Sequence, residues 1–424
     1  MAYTAVIWNI EEFGSHYSSF SQKDLVERLR RLLVVQVLKA VSADVMVIQE
    51  LRFDGIKQLA RLKSLLGGGN WHFDWLPGAQ VVSGQLSTFD QLGFVGRANS
   101  EGYGVLWRDG KIDALNDSLL SAGLDTVNTS TAPKKRAHYI DVATSGKKLK
   151  FDKPLTVPIY FDATSDSETI GFPHSVCPQA VNNTMETRSG GEYGSDDAIQ
   201  QELNSRRPCR VQMHVTDGRS VPLVVYHAPV GAQSSRSPLY GTLIGCSVDP
   251  LQFANPNLAD CVYAGDFNVV SDKDQATLSK YLPTIGYTAV VYTPSMVHVF
   301  KDGAFRTGKG VFGSARDVAF TRAPNGQEPT TTIRDVLMND IIANNGSIRQ
   351  LVTDAMAVNT LTGTLFPALK AEKGWTQNVI DVATAYLNGV QDPNYPHGAD
   401  IYTAAAIVYT AFVSDHLPIV ISYA

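Results

Sequence analysis

Apolar and polar positions alternate along Tyr3–Ile10, with Val, Ile and Trp prominent, and this predicts a strand. Ser21-Gln-Lys-Asp24 has the form of a capping box with Asp in place of Glu, so a helix is expected to begin there. Leu25, Leu29, Leu32, Leu33 and Val37 follow at helical spacing. Asp44–Glu50 is a continuous apolar run closed by polar residues, as in a strand buried on both faces. Further strands are predicted at Gly102–Arg108, Val211–Val215, Val221–His227, Cys261–Ala264, Val318–Thr321 and Pro418–Tyr423. Strands alternating with helices predict a layered α/β protein.

Two stretches interrupt this rhythm. Residues 109–204 are polar and rich in Ser, Thr, Asp and Gly, whereas residues 322–411 have a helical pattern, strongest over Ile348–Leu369 and Gln377–Asn388. Both far exceed ordinary connections, so they are expected to be two large insertions in a single domain spanning residues 1–424.

Composition narrows the function classes. Of 424 residues, 36 are Lys or Arg and 41 Asp or Glu, a net charge of −5 that excludes a strongly basic nucleic-acid packer. A polyanionic partner would have to be met by local charge or a bound metal. Residues 134–153 supply one local patch, seven basic residues against Asp141 and Asp152. The longest apolar runs, Leu32–Val41 and Tyr402–Phe412, are too short and interrupted to span a bilayer. Cys177, Cys209, Cys246 and Cys261 show no zinc spacing, and pairing of Cys246 with Cys261 is left open.

The candidate chemistry sits at strand ends, where α/β folds place their sites. Asn9 ends the first strand and Glu50 the second, and Glu101 and Tyr103 open the strand that reaches Arg108. His227 follows Val-Val-Tyr, Asp266 and Asn268 lie in Gly-Asp-Phe-Asn, and Asp317 and Asp415-His416 precede the last two strands. Each is ordinary alone: an Asn after a strand is a turn former, and a single His is more often structural. Together they are not ordinary. Glu50, Asp266, Asp415, Asn9 and Asn268 form a hard oxygen set suited to Mg²⁺. Two histidines, each with a candidate carboxylate orienter in Glu101 or Asp317, suit acid–base work near neutral pH. Hydrolysis of a phosphate ester needs both sets.

These residues resemble the endonuclease/exonuclease/phosphatase superfamily. Its elements stand in order as Trp8-Asn9, Gln49-Glu50, the Tyr103 strand, Tyr226-His227-Ala-Pro, Gly265-Asp-Phe-Asn268, Asp317 and Ser414-Asp-His416-Leu-Pro-Ile. The nearest resemblance is to pancreatic-type deoxyribonucleases, through Asn9-Ile-x-x-Phe13-Gly14, Gln49-Glu-Leu-Arg52, Glu101-x-Tyr103 and Ser205-Arg206-Arg207-Pro208. It implies a four-layer α/β/β/α sandwich of two packed mixed sheets. It also implies a metal-dependent phosphodiesterase, an endonuclease acting on DNA by in-line attack of water. Glu50, Asn9 and Asp415 would surround Mg²⁺, or Mn²⁺ in its place, with Ca²⁺ as a structural ion. Asp266 and Asn268 would orient water and hold the phosphate. His416 with Asp317 would be the base, and His227 with Glu101 the acid. Arg52, Tyr103 and Arg206 would contact substrate.

The alternatives are an inositol-phosphate phosphatase, a sphingomyelinase-like lipid phosphodiesterase, or a non-catalytic nucleic-acid-binding module. Against the inositol group, Ser314-Ala-Arg-Asp317 lacks the Pro-x-Trp-Cys-Asp-Arg run of those enzymes. Cleavage of an ordinary signal peptide of about 15–30 residues would remove Asn9, so no cleaved leader is expected. The expectation is a cytoplasmic protein or one exported by a leaderless route. A delivered toxin with a protein inhibitor fits that setting.

Overall fold

The structure, a computed structural model, describes residues 2–14, 20–52, 55–76, 102–112, 139–141, 156–158, 161–162, 209–227, 260–268, 275–276, 279, 287, 289–323, 326, 328–333 and 347–424. Sixteen strands fall among them. In chain order these begin with β1 (Tyr3–Phe13), β2 (Val45–Leu51), β3 (Trp71–Leu76), β4 (Gly102–Arg108), β5 (Tyr139–Asp141), β6 (Thr156–Pro158), β7 (Phe161–Asp162) and β8 (Cys209–His214). They continue with β9 (Ser220–Val225), β10 (Cys261–Asp266), β11 (Ala289–Tyr292), β12 (Phe300–Lys301), β13 (Ala304–Phe305), β14 (Asp317–Arg322), β15 (Thr330–Ile333) and β16 (Ile419–Tyr423). One six-stranded sheet has the order β15-β16-β1-β2-β4-β3, and a second the order β11-β14-β10-β9-β8-β7. Both are mixed: β1 is parallel to β2 but antiparallel to β16, and β10 is parallel to β9 but antiparallel to β14.

The two-residue period of β1 explains how the layers stack. Tyr3, Ala5 and Ile7 point into a core between the sheets, with Val45, Val47 and Val105 on their side and Val211, Leu223, Val225, Val262 and Ala264 opposite. Val6, Trp8 and Ile10 face the other way, together with Met46, Ile48 and Leu106. Helix α1 (Lys23–Ala40) covers that second face through Leu29, Leu33 and Val37. Both faces of the central strands are therefore dry, so β1 is buried at every position from Tyr3 to Ile10 rather than at alternate ones as its sequence pattern predicts. Each fully buried aliphatic side chain contributes roughly 1.5–3 kcal/mol.

The expected helical stretch between residues 347 and 412 packs on the same face and shares its core. It comprises α3 (Ser347–Ala355), α4 (Phe366–Lys373), α5 (Gln377–Leu387) and α6 (Ile401–Phe412). Helix α2 (Gly55–Leu65) lies beside β3 and β4. The two mixed sheets and the helical layer match the expected sandwich. A helical cover over the outer face of the second sheet is not among the described elements, and most of residues 109–204 lies outside the described residues. Among the described residues, no helix is long and apolar enough to cross a membrane.

Three local expectations are corrected. Ser21 does not cap α1: Gln22 holds the cap position without a side-chain bond, and Ser21 donates its amide to Glu372 Oε2 at 2.8 Å. The run Ile348–Leu369 is not one helix. It breaks after Ala355 and resumes through a widened turn at Leu361–Leu365, so that Leu361, Leu365 and Phe366 all turn inward. Finally, β1 extends three residues beyond Ile10, to Phe13.

Candidate active site

Strand direction gathers the site at one edge of the sandwich. β1 and β2 run parallel, as do β9 and β10, so Asn9, Glu50, His227 and Asp266 all lie at or just past carboxyl ends. β14 and β16 run the opposite way, which brings their beginnings to that edge. Asp317 is the register partner of Asp266, and Ile419 that of Ile7, leaving Asp415 and His416 just outside the pairing. Ser414 completes the junction: its hydroxyl donates to the Asn9 carbonyl at 2.6 Å and accepts from the His416 amide at 3.0 Å.

The backbone is irregular where the functional groups stand. The β1–β2 register shifts between Asn9 and Phe13, and the β2–β4 register between Ile48 and Leu51. Such bulges re-aim side chains. Glu12, Glu50 and Asn268 occupy left-handed conformations at φ +48°, +59° and +52°. Each costs about 1–3 kcal/mol, which the surrounding contacts must offset. Gly265 is at φ +146°, and a Cβ there would lie 2.1 Å from the Tyr226 carbonyl oxygen. The absent side chain lets Gln49 clamp the two sheets. Its Nε2 donates to the Tyr226 carbonyl at 2.8 Å, and its Oε1 accepts from the Asp266 amide at 3.2 Å.

Asn9 links the carboxylates, donating Nδ2 to Glu50 Oε1 at 3.0 Å and to Asp266 Oδ2 at 3.2 Å. Glu50 Oε2 accepts from the Glu12 amide at 3.0 Å. Burial alone would raise the Glu50 pKa, but His227, the Asn9 and Glu12 bonds and His416 outweigh it and hold the group near about 2. Both imidazoles meet Asp266, whose Oδ2 is 3.5 Å from His227 Nε2 and 3.6 Å from His416 Nε2. Asp266 Oδ1 accepts from the Asn268 amide at 2.9 Å.

His416 is the more constrained histidine. Its Nδ1 pairs with Asp317 Oδ2 at 2.7 Å, while its carbonyl accepts from Trp8 Nε1 and the Tyr409 hydroxyl. Burial opposes its positive charge, yet Asp317, Asp266 and Asp415 together hold its pKa well above the ordinary imidazole value. Asp317 is itself fixed by its amide, which donates to Ser295 Oγ at 3.0 Å. His227 lies 3.5 Å from Glu50 Oε1, and its amide donates to the Tyr103 hydroxyl at 3.1 Å.

The expected residues thus separate into groups. Asn9, Glu50, His227, Asp266, Asn268, Asp317, Asp415 and His416 come together. Tyr103 is buried beneath the site and supports the His227 backbone. Arg52 is also buried and pairs with Glu12 at 2.9 Å. Glu101 and Arg206 lie outside the described residues, as does Cys246. The carboxylates found beside His227 Nε2 are Glu50 and Asp266. Sequence reasoning missed Gln49 as the clamp and Ser295 as the support for Asp317. It also missed Glu11, whose carboxyl is pushed up to about 7 by burial and by Asp415 and Glu50, against Arg30 and His416.

The donor set accommodates a divalent cation. Asn9 Oδ1 and Asp415 Oδ1 are buried and have no hydrogen-bond partner, at an edge where Glu11, Glu50, Asp266 and Asp415 crowd their charges. Hard oxygen ligands with unmet lone pairs are what Mg²⁺ or Ca²⁺ takes. Asp266, Asp317 and His416 also offer three ligand atoms within 4.8 Å of one another. The 2.7 Å contact between His416 and Asp317, however, commits those two groups to each other.

No protein-family model matches the chain, and no curated sequence does. Solved structures similar to it include an endonuclease/exonuclease/phosphatase family protein from Bacteroides thetaiotaomicron, 14% identical over 79% of this chain and 90% of that one, with a TM-score of 0.37. D. rerio TDP2 complexed with single-strand DNA product is 11% identical over 99% of this chain and 98% of that one, with a TM-score of 0.38. The human Nocturnin catalytic domain with bound sulfate is 11% identical over 78% and 85%, with a TM-score of 0.35. At such identities function is read from the site's own residues. Two packed mixed sheets, with the candidate residues gathered at one edge, are the arrangement expected from the sequence.

Proposed function

We propose that this chain is a metal-dependent phosphodiesterase, an endonuclease that hydrolyses DNA by in-line attack of water. The observation that carries this reading is the meeting of two buried imidazoles on one carboxylate, Asp266, beside the oxygen set of Asn9, Glu50 and Asp415. Asn9, Glu50 and Asp415 would hold Mg²⁺ or Mn²⁺. When bound, the cation supplies a Lewis acid for the phosphoryl oxygens. Asp266 orients the attacking water, and His416, with Nδ1 locked on Asp317, takes the water's proton at Nε2. His227 delivers a proton to the leaving oxygen. The Asn268 amide holds Asp266 from below, so that the carboxylate does not reorient during the reaction.

Supercoiled plasmid tests this directly. Purified protein with Mg²⁺ is expected to convert it to nicked circles, with a rate that falls as salt rises because phosphate contacts release counterions. Absence of nicking, together with rapid release of inorganic phosphate from phosphomonoesters, would replace the nuclease reading with a phosphatase.

A further inference from the structure

Arg30 lies near the middle of α1 and points into the protein. It is 1% exposed, and among the described residues no charged side chain is more deeply buried. Burying a charge is costly unless close partners compensate it. The ion pair with Glu27, earlier on the same helix, is loose, with Oε1 3.8 Å from Nη1. The close contacts go elsewhere: Nε donates to the Val413 carbonyl and Nη2 to the Glu11 carbonyl, each at 3.0 Å. These two N–H groups form one edge of a planar guanidinium. The carbonyls are therefore held side by side at a spacing set by rigid covalent geometry.

Those carbonyls flank the candidate site. Glu11 follows Asn9 on β1 by two residues, and Val413 precedes Asp415 by two. Sheet register does not set the spacing here, because the β1–β16 pairing ends at Ile7 and Ile419. The β1–β2 register also shifts, between Asn9 and Phe13. Val413 caps the end of α6, where a helix leaves carbonyls without donors of its own. Side chains supply what the ladder supplies elsewhere. Ser414 ties its segment to the Asn9 carbonyl, and Arg30 ties the next pair along, Val413 and Glu11.

We infer that Arg30 is a positioning residue whose guanidinium edge fixes the separation of Asn9 and Asp415 and so shapes the cation site. The inference rests on the reading of Asn9 and Asp415 as cation ligands. Mg²⁺ demands near-ideal octahedral geometry, so ligands free to drift apart hold it less tightly. Residues that orient metal ligands without touching the metal are commonly worth about 10–100-fold in affinity.

Arg30→Lys separates alignment from charge, because an ammonium keeps the positive charge but cannot present the rigid fork. Mn²⁺ binding to the full chain, read from the loss of the free-ion electron paramagnetic resonance signal, gives the affinity without substrate. The dissociation constant is expected to rise about tenfold or more in Arg30→Lys. Glu27→Gln combined with Arg30→Gln, which leaves net charge unchanged and buries no unpaired charge, should show the same weakening. Val37→Ala is the folding control. It truncates a buried side chain about two turns along the same helix, so it should lower the thermal midpoint and leave Mn²⁺ affinity at the wild-type value. Wild-type affinity in either folded Arg30 variant, or an equal loss in Val37→Ala, overturns the positioning role while the cation site stands. Wild-type protein that binds no Mn²⁺ removes the cation site itself, and the role with it.

Discussion

Replacing Asp266 with alanine is expected to lower kcat/KM for DNA by at least about 10⁴-fold while the protein remains folded. The size follows from how many roles the carboxylate combines. It accepts from Asn9, anchors the Asn268 amide and lies within 3.6 Å of both imidazoles. Acid–base assistance alone is worth about 10²–10⁴-fold, and loss of a pre-aimed polar group another 10²–10³-fold. Because the two histidines act through the same carboxylate, the losses do not add. Asp266→Ala combined with His416→Ala should therefore be little worse than Asp266→Ala alone. A circular dichroism spectrum and thermal midpoint close to wild type, with activity gone, would place the defect in the chemistry. Activity within tenfold of wild type would remove Asp266 from the mechanism.

The second large effect is expected at Asp317. Its carboxylate holds His416 Nδ1 at 2.7 Å and is a principal cause of the raised imidazole pKa. A base must be neutral to accept a proton, so in the wild type the acid limb of kcat/KM against pH should lie above the ordinary imidazole value of about 6.5. Asp317→Asn removes a negative charge that stabilises the imidazolium. The His416 pKa then falls, and the limb moves to lower pH. The same change loosens the ring and its tautomer, so kcat at the optimum should drop by about 10²–10⁴-fold. The two readouts separate catalysis from folding, because a merely structural role would lower the rate without moving the limb. A limb that stays in place, or moves upward, contradicts the assignment of His416 as base.

Much of this arrangement was legible in the chain, for a physical reason. Strands buried on both faces are apolar without interruption, so Val45–Leu51 and Cys261–Asp266 declare themselves, and the polar residue that ends such a run marks the edge of the sheet. Glu50 and Asp266 stand where that rule places them. What stayed hidden depends on partners far apart in sequence. Gln49 is an ordinary polar residue until its side chain meets Tyr226, and Tyr103 resembles a substrate contact until its hydroxyl is seen beneath His227. Ser21 has the chemistry of a helix cap but is recruited by Glu372, over 300 positions away. The break within residues 348–369 escaped the periodicity because Leu361, Leu365 and Phe366 keep an apolar pattern while the backbone widens by a residue. Glu11 gave no signal at all: its pKa is raised by burial and by Asp415 and Glu50, all of which arise only on folding.

These crowded carboxylates are expected to serve a metal-dependent phosphodiesterase. The most direct test is hydrolysis of bis(p-nitrophenyl) phosphate by protein stripped with EDTA, followed by titration with Mg²⁺ or Mn²⁺, for wild type and Glu50→Gln. The stripped wild type should be inactive and recover fully and saturably with either cation, whereas Glu50→Gln should need a concentration at least about tenfold higher, as expected when a cation ligand is altered. Full turnover in EDTA, or wild-type metal dependence in Glu50→Gln, would contradict it.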